Sequence, residues 1–314
     1  MAPYSGRRMQ EATRILPFDD AAIAEAVRLV LAGQPVAVPT ETVYGLAADA
    51  TNAEAVANIY EAKERPSFNP LIVHISSLDQ ARRIGVFSND AVRLADAHWP
   101  GPLTLVVPLK PGAGIASIVT AGLDTIGLRV PAHPAMQALL RALGRPLAAP
   151  SANASGAISP TRAEHVLKSL GGRIPLIVDG GATQRGLEST IIAATGGPLR
   201  LLRRGPVDVP DAVSEASDRI EAPGQLASHY APSKPLRLDA TEAAADEFLV
   251  GFGGVAGDVT LSPSGDLIEA AARLFDLLHA ADEARQPRIA IAPIPDTGLG
   301  AAINDRLRRA AAPR

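Results

Sequence analysis

Hydrophobic positions follow two periodic patterns over the first two-thirds of the chain. Apolar residues at 23, 27, 30 and 31 recur at helical spacing, which predicts a helix that begins after Asp19 and ends at Gly33. A second helix is predicted from Asn52 to about Lys63, because Pro66 restricts the backbone before it. Short apolar runs predict buried strands at 36–38, 71–75, 103–109, 125–130, 146–149, 176–178, 190–193 and 199–202, and helical patterns lie at 91–98, 134–143 and 161–170. This alternation indicates an α/β or α+β sheet domain.

The periodicity lapses between Arg219 and Pro235, where Pro223, Gly224 and Pro232 punctuate the chain. Such a segment is typical of a connector between domains. A smaller αβ unit follows, with helices predicted at 239–249 and 262–284, a strand at 288–292 and a closing helix at 300–312. We therefore predict a first domain over 15–212, a linker over 213–235 and a C-terminal domain over 236–314.

The composition of the chain excludes several classes of protein and of functional site. The chain is 47% hydrophobic, 20% charged and only 4% aromatic, so its cores are expected to consist of Ala, Val, Leu and Ile. A net charge of −3 argues against a broad electropositive surface for nucleic acid. The absence of cysteine excludes disulfides, thiolate nucleophiles and cysteine-ligated metals. No apolar run is long enough to span a membrane and the first residues do not form a signal peptide, so we expect a cytoplasmic protein.

Two cationic motifs have both a structural and a functional interpretation. Lys63 and Arg65 end a predicted helix just before a strand, where they either complement the helix C-terminus or clamp a phosphate. Arg129 interrupts an otherwise apolar strand, and a buried guanidinium requires an anionic partner. Physical chemistry alone leaves open whether that partner is an internal carboxylate or a bound one.

Further polar groups also lie where predicted strands meet loops. His74 sits within an apolar run, where it is either a core residue or a ligand. Polar clusters occur at 39–46 (PTETVYGL), 150–156 (PSANASG), 188–192 (ESTII) and 203–205 (RRG). Side chains at the ends of several strands can converge on one cleft. The glycine-rich run at 251–256 matches a dinucleotide-binding fingerprint, but no helix is predicted after it, so we expect no such site there.

The order PTETVYGL, KERPSFNPLIVHI, PSANASG, ESTII and LRRG resembles the two-domain YrdC-type threonylcarbamoyl-AMP synthases. The resemblance covers about residues 20–210, the linker with His229 and Tyr230, and more loosely the C-terminal unit. It implies a YrdC-like α/β fold, a twisted mixed sheet with flanking helices, followed by a linker and a smaller Rossmann-like αβ domain. The implied enzyme is a nucleotidyltransferase, L-threonylcarbamoyladenylate synthase. It makes L-threonylcarbamoyl-AMP from L-threonine, bicarbonate or CO2, and ATP, and releases pyrophosphate, for N6-threonylcarbamoyladenosine modification of tRNA next to the anticodon.

The resemblance also implies roles for individual residues. The family's K-x-R and S-x-N signature, implied to be catalytic, falls on Lys63, Arg65, Ser151 and Asn153. The implied ATP site consists of these four residues with Asn69, Thr125, Thr161, Arg203 and Tyr230, and the implied threonine site consists of Thr40, Thr42, His74, Arg129, Ser151 and Ser189. Mg2+ is expected to accompany ATP, with no ligands assigned. Downstream tRNA threonylcarbamoyl transferase proteins are the expected partners, and direct tRNA binding is left open.

Two other functions remain as alternatives at this point. One is a non-catalytic, RNA-binding or ribosome-associated YrdC-like module, against which the negative charge and the few aromatic residues argue. The other is a carbamoyl-adenylate-forming module like that of hydrogenase maturation factors, which accompanies zinc fingers that a cysteine-free chain cannot form. Pyrophosphate release that depends on threonine and bicarbonate would distinguish the three functions.

Overall fold

The computed structural model describes residues 12–66, 69–213, 220–225 and 228–313. In this part of the chain one mixed sheet contains β1 (Arg14–Pro17), β2 (Val36–Pro39), β3 (Tyr44–Asp49), β4 (Ile72–His74), β5 (Leu103–Pro108), β6 (Thr125–Arg129), β7 (Leu147–Ala148), β8 (Leu176–Asp179), β9 (Thr190–Ala193) and β10 (Arg200–Arg203). Its flanking helices are α1 (Asp20–Leu31), α2 (Ala53–Lys63), α3 (Leu78–Ile84), α4 (Asn89–His98), α5 (Ser117–Thr120), α6 (Pro134–Leu143) and α7 (Ala163–Leu170). The strand order is β1-β8-β2-β3-β7-β4-β6-β5-β9-β10.

The sheet is covered on both faces, as the continuous apolar strands predicted. Val36 and Val38 pack in a core with α1 and α6, whereas Ala37 between them belongs to the core on the other face with α2, α4 and α7. Alternate residues of a strand point to opposite faces, so a strand buried on both faces carries no polar alternation. The α/β fold with a mixed sheet and flanking helices is therefore confirmed.

Side-chain caps fix the first two helices where the sequence predicted them. Asp19 accepts a hydrogen bond from the backbone N–H of Ala22, and Asn52 accepts one from Glu54. The α2 helix ends at Lys63 because Glu64 adopts a left-handed conformation with φ of 52°. This end places Lys63 where its side chain reaches the loop after β7, at Ser151 and Asn153.

The C-terminal unit contains a second sheet in which all described pairings are parallel. Its strands, in the order β11-β14-β12-β13, are β11 (Leu236–Arg237), β12 (Glu247–Gly251), β13 (Val259–Thr260) and β14 (Arg288–Ile291). Helices α8 (Leu267–Glu283) and α9 (Leu299–Ala311) pack against it. The smaller αβ domain is thus confirmed. The boundaries at 212/213 and 235/236 stay a prediction, and residues 214–219 and 226–227 of the predicted linker lie outside the described residues.

The predicted helix at 239–249 is wrong. Residues 239–246 form turns, and β12 begins at Glu247 between β14 and β13. Asp239 has a left-handed φ of 56°, and Glu247 accepts hydrogen bonds from Arg237 and from the backbone of Ala244. The alanine-rich sequence favours a helix locally, but these tertiary contacts and the central place in the sheet outweigh that propensity.

The two units meet along α7 and α8. Lys168 pairs with Glu283 at 2.8 Å, and Arg162 pairs with Asp276 at 2.6 Å. Beside these pairs, the ring of His165 stacks on that of His279 with centroids 3.8 Å apart. The interface therefore combines surface ion pairs with a stacked pair of histidines. None of the described helices is long and apolar enough to cross a membrane.

The histidine stack predicts acid sensitivity. Burial lowers the pKa of both His165 and His279 to about 4, despite nearby Asp276, Asp282 and Glu283. An unfolded histidine titrates near 6.5, so between pH 4 and 6.5 the unfolded state binds more protons and the free energy of unfolding rises with pH. We expect this interface to lose up to about 3 kcal/mol per histidine as the pH falls through this window.

Urea unfolding at several pH values between 7.5 and 4 measures this loss. A variant with both His165→Gln and His279→Gln should show a shallower pH dependence than the wild type. A matched variant at a histidine outside the interface, His98→Gln, should keep the wild-type slope. Equal slopes for the wild type and the double variant would contradict the prediction.

Gly186 allows the loop before β9 to approach the backbone of α8. Its φ is +69°, and a Cβ atom there would lie 2.3 Å from the carbonyl oxygen of Ala271 and 2.5 Å from that of Ala272. We expect Gly186→Ala to destabilise the protein by about 4 kcal/mol, because left-handed strain adds to a clash between backbone atoms. Gly181→Ala is the control, since Gly181 has a φ of +77° with no atom within 4 Å of an added Cβ. Thermal unfolding should show a clearly smaller loss for Gly181→Ala, and equal losses would contradict the steric argument.

Candidate active site

The candidate site lies over the shortest strands of the large sheet. The central strands β4 and β7 contain three and two residues, so the two ends of these strands are only about 10 Å apart. His74 and Arg129 are paired at the ends of the parallel strands β4 and β6. Ser151, which follows β7, is paired with Gly45 at the opposite end of these strands. Because the central strands are so short, polar side chains from both of their ends reach one cleft.

The cleft collects most of the side chains that the sequence singled out. Eight of the predicted site residues line it: Thr40, Thr42, Arg65, His74, Arg129, Ser151, Arg203 and Tyr230. Ser189 lies directly behind Arg203, whose Nη2 donates to the Ser189 hydroxyl at 3.0 Å. Lys63 is fully buried below the cleft, and its Nζ donates to the carbonyl oxygens of Ser151 and Asn153. Eleven predicted residues, including Asn153 beside Lys63, thus form one polar cluster.

Three predicted residues remain, and only one of them adjoins this cluster. Asn69 adjoins the cluster, since its carbonyl oxygen lies 3.4 Å from Nη2 of Arg65. Thr125 and Thr161 are not brought into the lining of the cleft. Thr125 lines a small neighbouring hollow over the sheet, and the hydroxyl of Thr161 lies 3.4 Å from Nδ1 of His165. Their assignment to the nucleotide site stays a prediction.

Arg129 has an internal partner. Its Nη2 donates to Oε1 of Glu41 at 2.6 Å, its Nη1 donates to the hydroxyl of Thr42 at 3.0 Å, and its Nε donates to the carbonyl of Gly101 at 3.2 Å. Burial raises the pKa of Glu41, but the charge of Arg129 and the N–H of Ala132 outweigh it, so the pKa lies below its usual range. Of the two partners left open by the sequence, the structure therefore contains the internal carboxylate. One N–H on each terminal nitrogen is still available for a second, end-on carboxylate.

A group of cations without carboxylate partners borders the cleft. Burial and the neighbouring charge of Arg65 hold the pKa of Lys63 well below its usual value, and burial lowers the pKa of Arg65 to about 10. Burial also lowers the pKa of Arg203. Within the described residues these three side chains form hydrogen bonds to carbonyl oxygens and hydroxyls but no ion pair. Buried cations arranged in this way are stabilised by a bound anion.

Part of the linker closes the cleft. Pro223, Gly224, His229 and Tyr230 line it from the side opposite the sheet, and the cavity that remains measures about 50 Å³. Gly224, with a φ of +89°, lets the linker pass close to Arg203 and the Tyr230 hydroxyl, since an added Cβ would lie 2.9 Å from each. Pockets for ligands of nucleotide size measure roughly 300–1,000 Å³. The cleft as it stands is therefore too small for a ligand of that size.

A larger hollow of about 430 Å³ lies between β10 and α9 and shares Arg203 with the cleft. Its lining contains four arginines and two aspartates, and two of the arginines are paired: Arg308 with Asp296 at 2.8 Å and Arg309 with Asp305 at 3.1 Å. Eight of the predicted site residues line the smaller cleft, whereas only Arg203 among them lines the hollow, and we therefore place the chemistry in the cleft.

Sequence reasoning missed Glu188, Gly224 and His229, which line the cleft, and Glu41, which lies behind it as the partner of Arg129. Glu41 and Glu188 lie within the motifs PTETVYGL and ESTII, so their polarity was visible. Their arginine partners are 88 and 118 residues away along the chain. A pairing over that distance leaves no local pattern in a single sequence.

Comparisons with known proteins agree with this architecture. The Sua5/YciO/YrdC family, described as telomere recombination, matches residues 28–205, and the family described as threonylcarbamoyl-AMP synthase, C-terminal domain, matches residues 187–312. The chain is 41% identical to the threonylcarbamoyl-AMP synthase of Bacillus subtilis over 97% of each chain. It is 38% identical to that of Pyrococcus abyssi over 91% of this chain and 92% of the relative. The crystal structure of P. abyssi Sua5 complexed with L-threonine matches with a TM-score of 0.87 at 35% identity, covering 95% of this chain and 98% of that one.

Proposed function

This chain belongs to the family of threonylcarbamoyl-AMP synthases, and from the geometry of its cleft we propose how its residues divide the work. It is a nucleotidyltransferase of the pathway that forms N6-threonylcarbamoyladenosine in tRNA, and its substrates are ATP and L-threonine. Bicarbonate or CO2 supplies the carbamoyl carbon in our proposal. The observation that carries the assignment is a single cleft in which Lys63, Arg65 and Arg203, cations without carboxylate partners, adjoin the Arg129 and Thr42 pair.

The reaction consumes L-threonine, bicarbonate and ATP and yields L-threonylcarbamoyl-AMP, pyrophosphate and water. The amino group of threonine first forms a carbamate. A carbamate oxygen then attacks the α-phosphorus, and the bond to pyrophosphate breaks. No protein nucleophile takes part, so the residues act by positioning the reactants and stabilising charge.

On the threonine side, the free N–H groups of Arg129 receive the carboxylate end-on, as its hydrogen bonds to Glu41 and Thr42 hold the guanidinium in place. Burial lowers the pKa of His74 to about 3, so its ring is neutral at physiological pH. A neutral imidazole beside Arg129 provides a polar contact without a second positive charge. The hydroxyls of Thr40 and Ser189 lie close by for the substrate's polar groups.

On the ATP side, Lys63 uses two N–H groups on carbonyl oxygens and keeps the third for a phosphate. The Nε of Arg65 and the Oδ1 atoms of Asn69 and Asn153 are buried without a partner among the described residues. Such groups cost free energy unless a ligand satisfies them. Together with Arg203, the N–H of Arg65 can stabilise the charge that develops on the leaving pyrophosphate, whereas the two amide oxygens can accept hydrogen bonds from hydroxyl or amino groups of the nucleotide.

The linker supplies protection from water. Tyr230 is buried over the cleft, and the carbonyl of Pro223 accepts a hydrogen bond from Nη1 of Arg203 at 3.3 Å. In our proposal the linker moves outward to admit the nucleotide, which exposes that N–H to a phosphate. When the linker closes again, it excludes water from the labile carbamate.

Among the described residues, no three His, Asp or Glu side chains come together as a set of metal ligands. The carboxylates in and behind the cleft, Glu188 and Glu41, are each paired with an arginine. We therefore expect Mg2+ to arrive with ATP and to be held by phosphate oxygens and water.

A pyrophosphate-release assay with threonine, serine or no amino acid, each with and without bicarbonate, tests the function. We expect release only with threonine and bicarbonate. Release without an amino acid, or none under any condition, would refute the assignment, and RNA binding without release would favour the non-catalytic module. The product is expected to pass to tRNA threonylcarbamoyl transferase proteins, and the cytoplasmic location that ATP and tRNA chemistry imply remains a prediction.

A further inference from the structure

A carboxylate lies in the cleft that we assign to the most negatively charged substrate. Glu188 lines the cleft from the loop just before β9, which begins at Thr190. Its side chain is 7% exposed. The triphosphate of ATP adds several negative charges to the same space. A like charge inside a poorly solvated site costs affinity, so the charge of Glu188 has to be compensated.

Compensation comes from the last helix of the other domain. Arg306 of α9 is completely buried, and its Nε donates to Oε2 of Glu188 at 2.9 Å. The hydroxyl of Ser159 donates to the other oxygen, Oε1, at 2.5 Å. Burial raises the pKa of Glu188, but Arg306 and Arg203 outweigh it, so the pKa lies below its usual range and the carboxylate stays charged.

The same arginine also contacts the linker. Its guanidinium carbon lies 5.3 Å from the centre of the Tyr230 ring, and its Nη1 pairs with Asp305 at 2.8 Å. A single side chain of the C-terminal domain thus holds both a carboxylate of the catalytic domain and the tyrosine that closes the cleft.

We propose that Arg306 is a positioning residue that neutralises Glu188 and so allows the cleft to accept a triphosphate. This inference rests on the proposed function, because it requires that the cleft binds phosphates. It gives the C-terminal domain a defined part in substrate binding: the domain supplies the ion-pair partner of Glu188, which adds to the charge of nearby Arg203.

Removal of the charges of Arg306 and Glu188, singly and together, tests this directly. Tripolyphosphate is the probe, and calorimetric titration of the full chain is the measurement. Arg306→Met should weaken tripolyphosphate binding about tenfold and raise the KM for ATP by a similar factor while changing the KM for threonine less. The double variant Arg306→Met with Glu188→Gln carries neither charge, and its affinity should return to within about threefold of the wild type.

Two further variants keep the test decisive. Glu188→Gln alone retains Arg306, so it should bind tripolyphosphate at least as tightly as the wild type, which covers the case in which Arg306→Met does not fold. Lys168→Met removes an exposed ion pair between the domains and should leave binding unchanged. Unchanged affinity in Arg306→Met, no recovery in the double variant, or weaker binding in Glu188→Gln would each overturn the inference.

The inference and the proposed function can fail separately. If the wild type binds tripolyphosphate with the expected variant pattern but releases no pyrophosphate with threonine and bicarbonate, the proposed function fails and the role of Arg306 stands. If the enzyme is active and the variants show no pattern, the role of Arg306 fails. A wild type that binds no tripolyphosphate refutes the role of Arg306 whatever the activity.

Discussion

Arg129→Ala is expected to abolish the dependence of pyrophosphate release on threonine and to lower kcat/KM for threonine by about 10³-fold or more. The guanidinium is buried in the cleft, and its two free N–H groups are the only ones we assign to the substrate carboxylate. Alanine removes this contact and also leaves Glu41 as an unpaired buried charge. Steady-state kinetics with varied threonine, at saturating ATP and bicarbonate, measure the effect.

Loss of the ion pair should also reduce stability, by about 3–5 kcal/mol, because one buried charge is left without its partner. The double variant Arg129→Ala with Glu41→Gln separates the two effects: we expect it to recover much of the stability and none of the threonine dependence. Arg93→Ala is the control for an arginine in exposed ion pairs with Asp90 and Asp211, and it should behave as the wild type. Normal threonine kinetics in Arg129→Ala would show that the threonine site is assigned wrongly.

Lys63→Met is expected to lower kcat for pyrophosphate release by about 10²- to 10³-fold and to affect ATP more than threonine. Methionine keeps most of the volume of the buried side chain but has no donor for a phosphate. It also leaves the carbonyl oxygens of Ser151 and Asn153 without their donor, which should loosen the loop that carries both residues. Initial rates over a range of ATP concentrations give the change in kcat and KM.

Lys110→Met is the matched control for this variant. Lys110 also donates from Nζ to a carbonyl, that of Arg82, but it does so on the surface and away from the cleft. Its replacement should leave the kinetics unchanged. If Lys63→Met kept normal ATP kinetics, a phosphate contact from this lysine would be ruled out, and its role would be confined to holding the loop.

Local rules accounted for most of the first domain. The ends of α1 and α2 follow from Asp19 and Asn52, whose side chains cap the backbone of the residues just after them. The strand β3 was missed because its sequence, YGLAAD, contains Gly, Ala and Asp, which have low β propensity. The error at 239–249 has the same origin, since pairing with the neighbouring strands of the sheet outweighs a local preference for helix.

The residues of the candidate site were predictable from the sequence, but their charge partners were not. Motif order placed Lys63, Arg65, Arg129 and Ser151 in one site, and the structure brings them together. The partners of the charged groups were not predictable, because Glu41 meets Arg129, and Glu188 meets Arg306, only through folding. The two assignments that lie outside the cleft, Thr125 and Thr161, came from resemblance by position rather than from any pattern of their own.

The sequence by itself determined the periodic elements, the helix caps and the kinds of chemical groups available, since each depends on residues within a few positions of one another. Only the tertiary structure decided which charges neutralise each other and which remain for a substrate. Electrostatic free energy depends on distance in space and on burial, and neither is a property of neighbouring positions along the chain. The balance of charge in and behind the cleft therefore became visible only once both domains were folded together; it comprises Lys63, Arg65, Arg129, Arg203 and Arg306 against Glu41 and Glu188.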